Sequence, residues 1–508
     1  MANSKNKIIS FIGHHKFFIS ILLVATFLRF YHLGVASYWL DEGQSIQYVL
    51  NFKKYFKDYL AGIDSNHPPI YYMLLYFWTY LGVHEYIARS LSVIIGIITI
   101  IIVYQYVSKI FNKNTGLIAA LLISLSTFHI QYCQELREYI LLILFSLLGI
   151  FNFISYLQNN KSKYLAYFCI FSILGFWTHY FYIFTFAYLN IIFLFLFKRY
   201  NLKLKNWFLA QVIIFLAIIP IVILVLKTFF IPVAKGIIPP AGIEWLKPPN
   251  IYSIKDILIS DLSSTNLLLY NENINPLFRK LAKLLFLVLF FLGVFSRNTK
   301  TNQKLNYPNI CYLLFGYILF YIATVYLISI YFKPIFCGRY LIPLLPAYLI
   351  IITNGINSFK LPSLKYTAII IVSIISFVSI YTYFTPKVFT KDQYRETALY
   401  IQNNEKEGDV ICVNDSWVGV VFGFYYKNYY PNGTLNREYF GNPQNYNKLV
   451  SSLLKNYKRI WLVKSNTSDL DVNENVNIFI ENNYPNLKKI LELNFVLVNL
   501  YLYEVSGL

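Results

Sequence analysis

Two acids, Asp41 and Glu42, sit side by side in Ser37-Tyr38-Trp39-Leu40-Asp41-Glu42-Gly43-Gln44, a few residues past the first apolar run of a mostly apolar chain. Charged side chains near hydrocarbon are expensive and are usually kept for an ion, a proton transfer or a substrate, so this pair is a candidate for general-base chemistry. The plainer reading is a solvated loop pair marking the membrane surface. Three more polar clusters raise the same question. In Asn66-His67-Pro68-Pro69, His67 offers a ring nitrogen to a phosphate or a travelling proton, or merely caps a helix. In Gln134-Glu135-Leu136-Arg137-Glu138-Tyr139, Glu135 supplies an acid and Arg137 a planar fork that can clamp phosphate, with an ion-paired interfacial loop as the alternative. In Cys337-Gly338-Arg339-Tyr340, a second arginine and a tyrosine stand at the mouth of an apolar run. His179, in Thr178-His179-Tyr180, lies between two apolar runs with almost no loop, as a satisfied interfacial histidine or a site residue.

The elements that carry these clusters are membrane spans. Of 508 residues, 57% are hydrophobic and only 13% charged, with a mean hydropathy of +0.50, and apolar stretches long enough to cross a bilayer recur along the chain. A formal net charge of +20 would suggest nucleic acid in a soluble chain. Here the basic residues fall in short loops between apolar runs, as expected against an anionic leaflet, and no basic stripe alternates with stacking aromatics, so nucleic acid is not expected as a partner. The five cysteines have no paired spacing and read as packing residues.

Spans are expected near 17–34, 86–108, 115–132, 140–158, 164–179, 181–197, 207–229, 282–296, 309–331, 341–356 and 363–384, eleven in all. Loops rich in Lys and Arg, such as Lys198 to Lys205 and Arg297 to Lys304, should be cytoplasmic. That orientation puts Asp41-Glu42, the 134–139 loop, the loop from about 231 to 278, Arg339 and everything after about 385 outside. The run Ile70 to Trp78 breaks the alternation if it crosses, so it reads as an interfacial or re-entrant helix opened by prolines. Lys-rich residues before the first span resemble a signal peptide, but the many later spans favour an uncleaved anchor. The loop with Pro239-Pro240 and Glu244-Trp245 could form a lid over a lipid chain.

Past 385 the composition becomes more polar, giving a membrane domain over 1–384 and a soluble extracytoplasmic α/β domain over 385–508. A helix is expected over Gln393 to Asn403, with strands over Asp409 to Val413, Arg459 to Val463 and Phe495 to Tyr503. Nothing in that domain looks catalytic, and it reads as a cap. Sequons at Asn432 and Asn466 matter only in a host that glycosylates asparagine.

In order, Trp39-x-Asp41-Glu42, His67-Pro68-Pro69 before an aromatic helix, Gln134-Glu135-x-Arg137-x-Tyr139, Thr178-His179-Tyr180 and Arg339-Tyr340 resemble the lipid-sugar-dependent glycosyltransferases of the GT-C superfamily. The resemblance is to the branch of protein O-mannosyltransferases and lipid A aminoarabinose transferases, and covers roughly residues 10 to 385. It implies a polytopic GT-C fold that moves a sugar from a polyprenyl-phosphate donor to an acceptor hydroxyl on a glycan, lipid or protein of the envelope. Transfer would occur outside the cytoplasm, with inversion, in the cell membrane. By the family pattern Asp41 is the base, Glu42 its positioning neighbour and Glu135 a second acid, while Arg137 and Arg339 suit the lipid phosphate. His67, Tyr139, His179 and Tyr340 join the same candidate site. No cofactor is required, and a divalent metal held by Asp41 and Glu135 is left open. The aminoarabinose transferases carry lysine before their paired prolines where this chain has His67, and the eukaryotic O-mannosyltransferases carry a lumenal domain that has no counterpart here. The competing readings are a transporter or flippase of an anionic lipid-linked substrate and an oligosaccharide ligase. The polar clusters lie at one face instead of mid-span and no internal repeat is evident, which disfavours the transporter.

Overall fold

The computed structural model describes residues 2–63, 66–230, 246–296, 307–389, 391–426, 437–439, 446–465 and 476–505. By density of contacts the chain forms two compact units. The first comprises Met1–Tyr31, Phe52–Trp78 and Arg89–Val388, and the second comprises His32–Asn51, Thr79–Ala88 and Phe389–Leu508. The lid suggested at Pro239-Pro240 and Glu244-Trp245 and the sequons at Asn432 and Asn466 lie outside the described residues.

The first unit is helical, and each of the eleven expected spans falls on helix. Among the described residues, six helices are long and apolar enough to cross a bilayer on their own, and a bent pair would make a seventh. The spans expected at 164–179 and 181–197 are helices of 15 residues each, Ser162–Phe176 and Tyr182–Leu196. Tyr139–Asn159 is apolar on every face and is buried throughout its most apolar stretch, as expected of a helix at the centre of a bundle. It packs against the two 15-residue helices that follow it.

The run expected to be interfacial forms the nine-residue helix Ile70–Trp78. At 1.5 Å per residue it is about 14 Å long, too short for a hydrocarbon core of about 30 Å. The expected span 115–132 is also not one rod: Lys113–Ser124 and Thr127–Cys133 meet at 63°. Ser126 caps the second piece by accepting from the His129 backbone N–H. Two carbonyls at the break accept from Arg29 on the first helix, whose Nη1 donates to Ser124 O at 3.1 Å and Nη2 to Ile123 O at 3.0 Å. Nη2 also reaches His129 Nδ1 at 2.8 Å, so that ring nitrogen is the acceptor. No disulfide links any of the five cysteines.

The second unit is built on a five-stranded sheet in the order β2-β1-β3-β5-β4, with β1 Val410–Val413, β2 Arg437–Tyr439, β3 Arg459–Ser465, β4 Leu487–Phe495 and β5 Val498–Val505. β1 runs parallel to β2 and β3, and β5 runs antiparallel to β3 and β4. Every residue of β1 and β3 is buried, as in a sheet covered on both faces. The strand expected over Phe495 to Tyr503 is instead the end of β4 and most of β5. The chain turns back at Val496-Leu497, where Leu497 has φ 58°. The predicted helix over 393–403 is present as Tyr394–Asn404.

Candidate active site

The 134–139 cluster occupies the junction between Thr127–Cys133 and Tyr139–Asn159, and every polar side chain in it is nearly or fully buried. Glu138 is the N-cap of the long buried helix, where the positive end of the helix dipole favours an anion. Its carboxylate is fully buried. Oε1 accepts from His67 Nδ1 at 2.9 Å, Oε2 accepts from the Tyr72 hydroxyl at 2.8 Å, and Arg137 Nε lies 3.6 Å from Oε2. Burial alone would raise the carboxyl pKa. The Arg137 guanidinium, and after it His67, outweigh burial and hold Glu138 well below the usual carboxylate range.

His67 is thereby assigned a tautomer. Arg137 Nη2 lies 3.1 Å from His67 Nε2, and a guanidinium can only donate, so Nε2 accepts while Nδ1–H donates to Glu138. The imidazole bridges the arginine and the acid. Its loop is fixed by Tyr55, whose hydroxyl donates to His67 O at 2.7 Å, and by Ile70 N, which donates to Trp177 O at 3.1 Å. The second contact seats the prolines of residues 68–69 against the turn that carries His179.

His179 accepts from the Phe181 backbone N–H at Nδ1, 3.1 Å away, which leaves the proton on Nε2. Nε2 is 3.9 Å from Glu138 Oε1, beyond hydrogen-bond range. Burial pushes the His179 pKa down to about 4, against the pull of Glu138. The ring packs against Tyr139 and Tyr340 with centroids 5.8 Å apart in each case, while Tyr340 stacks on Phe181 at 4.4 Å. Tyr340 is anchored through its carbonyl, which accepts from the Tyr321 hydroxyl at 2.9 Å. The Arg137 guanidinium covers the Tyr139 ring at 5.8 Å. Glu135 and Arg339 both act electrostatically on the Tyr132 hydroxyl, and Arg137 and Arg339 both act on that of Tyr139.

Of the residues expected from sequence, the first unit therefore gathers His67, Glu135, Arg137, Tyr139, His179, Arg339 and Tyr340 around one aromatic cluster. Asp41 and Glu42 belong to the second unit, in the first turn of the helix Leu40–Leu50. There Glu42 is fully buried, and its Oε2 is 3.2 Å from Lys391 Nζ and 3.5 Å from the Trp39 N–H that opens the helix. Asp41, next to it, is only half-buried. One acid of the pair fastens the helix, and the other keeps a carboxylate within reach of solvent.

Two members of the cluster escaped the sequence reading. Glu138 stands inside the named motif, but the motif's three charges are equivalent on paper, and it is the hydrogen bonds from His67 and Tyr72 that single it out. Tyr72, in the aromatic run Ile70–Trp78, carries no sign of this partnership in the sequence. Among the described residues no group of three or more His, Cys, Asp or Glu side chains is placed to hold a metal ion.

Residues 66–224 match the family model described as dolichyl-phosphate-mannose-protein mannosyltransferase, a segment that holds His67, the 134–139 cluster and His179. The structure resembles ArnT from Cupriavidus metallidurans bound to undecaprenyl phosphate, at TM-score 0.61 and 11% identity over 97% of this chain and 98% of that one. The chain has the GT-C fold. It shares this fold with the oligosaccharyltransferase of Archaeoglobus fulgidus in its apo form, at TM-score 0.52 and 11% identity over 89% of this chain and 69% of that one. A structure of the archaeal oligosaccharyltransferase AglB from Archaeoglobus fulgidus in complex with an inhibitory peptide and a dolichol-phosphate matches at TM-score 0.51 and 10% identity over 89% of this chain and 69% of that one. No curated protein sequence matches this one. The GT-C fold and the apolar helices make the chain a multi-pass membrane protein, as its composition predicts.

Proposed function

We propose that the protein is an inverting glycosyltransferase that moves a sugar from a polyprenyl-phosphate carrier to an acceptor hydroxyl on the extracytoplasmic face of the cell membrane. The observation that carries this reading is the buried constellation of Arg137, Glu138, His67 and Tyr72 beside Arg339 and Tyr340, on a fold whose solved examples hold undecaprenyl phosphate or dolichol-phosphate. A lipid phosphate is recognised by guanidinium forks, and an arginine oriented by a buried acid and an imidazole is pre-organised for that task. Glu138 already balances the charge of Arg137, so Arg339 supplies the additional positive charge that the departing phosphate needs.

In the reaction the acceptor oxygen bonds to the anomeric carbon as the bond from that carbon to the phosphate oxygen breaks. The electron pair leaves with the polyprenyl phosphate, and the acceptor proton passes to a base. Asp41 is assigned that role on its chemistry, as the half-buried acid of the pair beside a neighbour committed to Lys391. Phosphate is a good leaving group without protonation, so no second carboxylic acid is demanded, unlike hydrolysis by a glycosidase. The acceptor remains a glycan, lipid or protein of the envelope.

The test is transfer by purified protein from a panel of radiolabelled polyprenyl-phosphate monosaccharides to envelope material. Labelled product from one donor establishes the class and names the sugar. No product from any monosaccharide donor, with the protein folded, rejects this reading in favour of a diphosphate-linked oligosaccharide donor or of lipid transport.

A further inference from the structure

The stretch before the helix Pro276–Phe295 carries an acid that the mechanism above does not use. Asp261 ends the π-helical turn Asp256–Asp261 in the first unit. Its carbonyl accepts from Ser264 N at 2.9 Å, and the Ser264 hydroxyl lies 3.1 Å from Ser126 Oγ and accepts from Phe128 N at 3.3 Å. The turn is thus stapled to the start of the Thr127–Cys133 helix. On that helix Phe128 meets Tyr132 with centroids 5.3 Å apart, and Tyr132 meets Tyr139 at 5.5 Å, so an aromatic row leads from Asp261 to the cluster around Arg137.

The Asp261 carboxyl is divided. Oδ1 accepts from Asn266 Nδ2 at 2.9 Å. Oδ2 is turned to Gly338, where a Cβ would stand 3.3 Å from it and 3.7 Å from the Phe128 ring. Gly338 is followed directly by Arg339 and Tyr340. An acid therefore lies close against the backbone of the segment whose next two side chains belong to the site. Like charge argues against phosphate as its ligand, because a carboxylate repels an anion. A carboxylate oxygen that receives no hydrogen bond among the described residues, at the edge of an aromatic cluster, suits a neutral hydroxyl.

We propose that Asp261 is a substrate-binding residue whose Oδ2 accepts a hydrogen bond from a sugar hydroxyl, of the donor or of the acceptor, beside Gly338. The proposal rests on the transferase reading and adds to it a residue that selects the sugar. Burial, helped by the neighbouring Asp256, raises the Asp261 pKa to about 7, while Asn266 and Lys283 oppose the rise. The ionised acceptor is thus lost as the pH falls below neutrality.

The experiment compares the wild type with Asp261→Ala and Asp261→Asn in the transfer assay, measuring KM for donor and acceptor separately between pH 6 and 8.5, with thermal unfolding alongside. Asp261→Ala is expected to raise one of the two KM values by about tenfold at pH 8 with kcat within about threefold. The substrate whose KM moves identifies the source of the hydroxyl. In the wild type that KM worsens as the pH falls through 7, and in Asp261→Asn the dependence disappears. Unchanged KM for both substrates, or a change confined to thermal stability, overturns the proposal and leaves the transferase reading intact. A wild type that transfers nothing overturns the transferase reading itself.

Discussion

Glu138 and His179 sit 3.9 Å apart and respond to acid differently. The folded pKa of Glu138 lies well below its unfolded value, so its stabilisation is present above about pH 4.5 and fades only as the pH falls through the folded value. The folded pKa of His179 lies at about 4 against 6.5 unfolded, so unfolding takes up a proton between those values and stability declines as the pH drops from 6.5 towards 4. Melting temperature measured at pH 7 and pH 5 should fall for the wild type and fall less for His179→Gln. Glu138→Gln leaves Arg137 buried without its counter-charge, and a loss of about 3–5 kcal/mol in unfolding free energy at neutral pH is expected. Asp41→Asn should behave in the opposite way, melting like the wild type while transfer drops by about 10²- to 10⁴-fold, the usual contribution of a positioned base. Wild-type turnover in that variant would remove Asp41 from the chemistry. Much of this was legible in the sequence, because Arg137, Glu135 and Arg339 are charges at the ends of apolar runs and so stand out from their surroundings. The division of labour among them was not, since the burial of Glu138 is decided by His67 and Tyr72, about 70 residues earlier in the chain. Asp261 was missed because its neighbours Ser260, Leu262 and Ser263 resemble any loop.

At the scale of elements, two close fits decide whether the pieces hold. The helix Leu40–Leu50 lies against Ser416–Tyr425 within the second unit, and a Cβ on Gly43 would overlap Val421 Cγ2 and stand 3.0 Å from its Cβ. Gly43→Ala should therefore cost about 1–3 kcal/mol by overpacking, read as a lower midpoint of thermal unfolding, and Val421→Ala in the same protein should recover part of the loss. The glycine after the acid pair carries no such message on paper, because its partner arrives nearly 400 residues later. In the first unit the 63° break at Leu125-Ser126 depends on Arg29. Arg29→Lys should not preserve it, since an ammonium cannot serve Ser124 O, Ile123 O and His129 Nδ1 with the geometry of a guanidinium. Sequence periodicity located both helices of the bent pair but read them as one rod, because every residue at the break is compatible with a continuous span. It joined the end of β4 to β5 for the related reason that Val496-Leu497 is apolar and hides a turn.

For the whole molecule, the eleven helical segments and the basic loops between them make an orientation testable without any substrate. Single cysteines placed at Asn201 and at Asn483 in a cysteine-free background should label from opposite sides of intact cells, with 483 outside. Labelling of both from one side would mean that an odd number of crossings has been gained or lost between them. Spans were the easiest feature to read, since about 20 apolar residues have few other uses, whereas the nine residues of Ile70–Trp78 required the parity of charged loops to be placed. The guanidinium of Arg29 also sets a clock on synthesis. Its carbonyl acceptors are 94 and 95 residues downstream, so at roughly 5–20 residues per second the first helix waits about 5–20 s for the oxygens that accept its buried N–H groups. During that interval the nascent chain depends on the insertion machinery to shelter a charge, and ribosome pausing before residue 124 would lengthen the exposure in direct proportion.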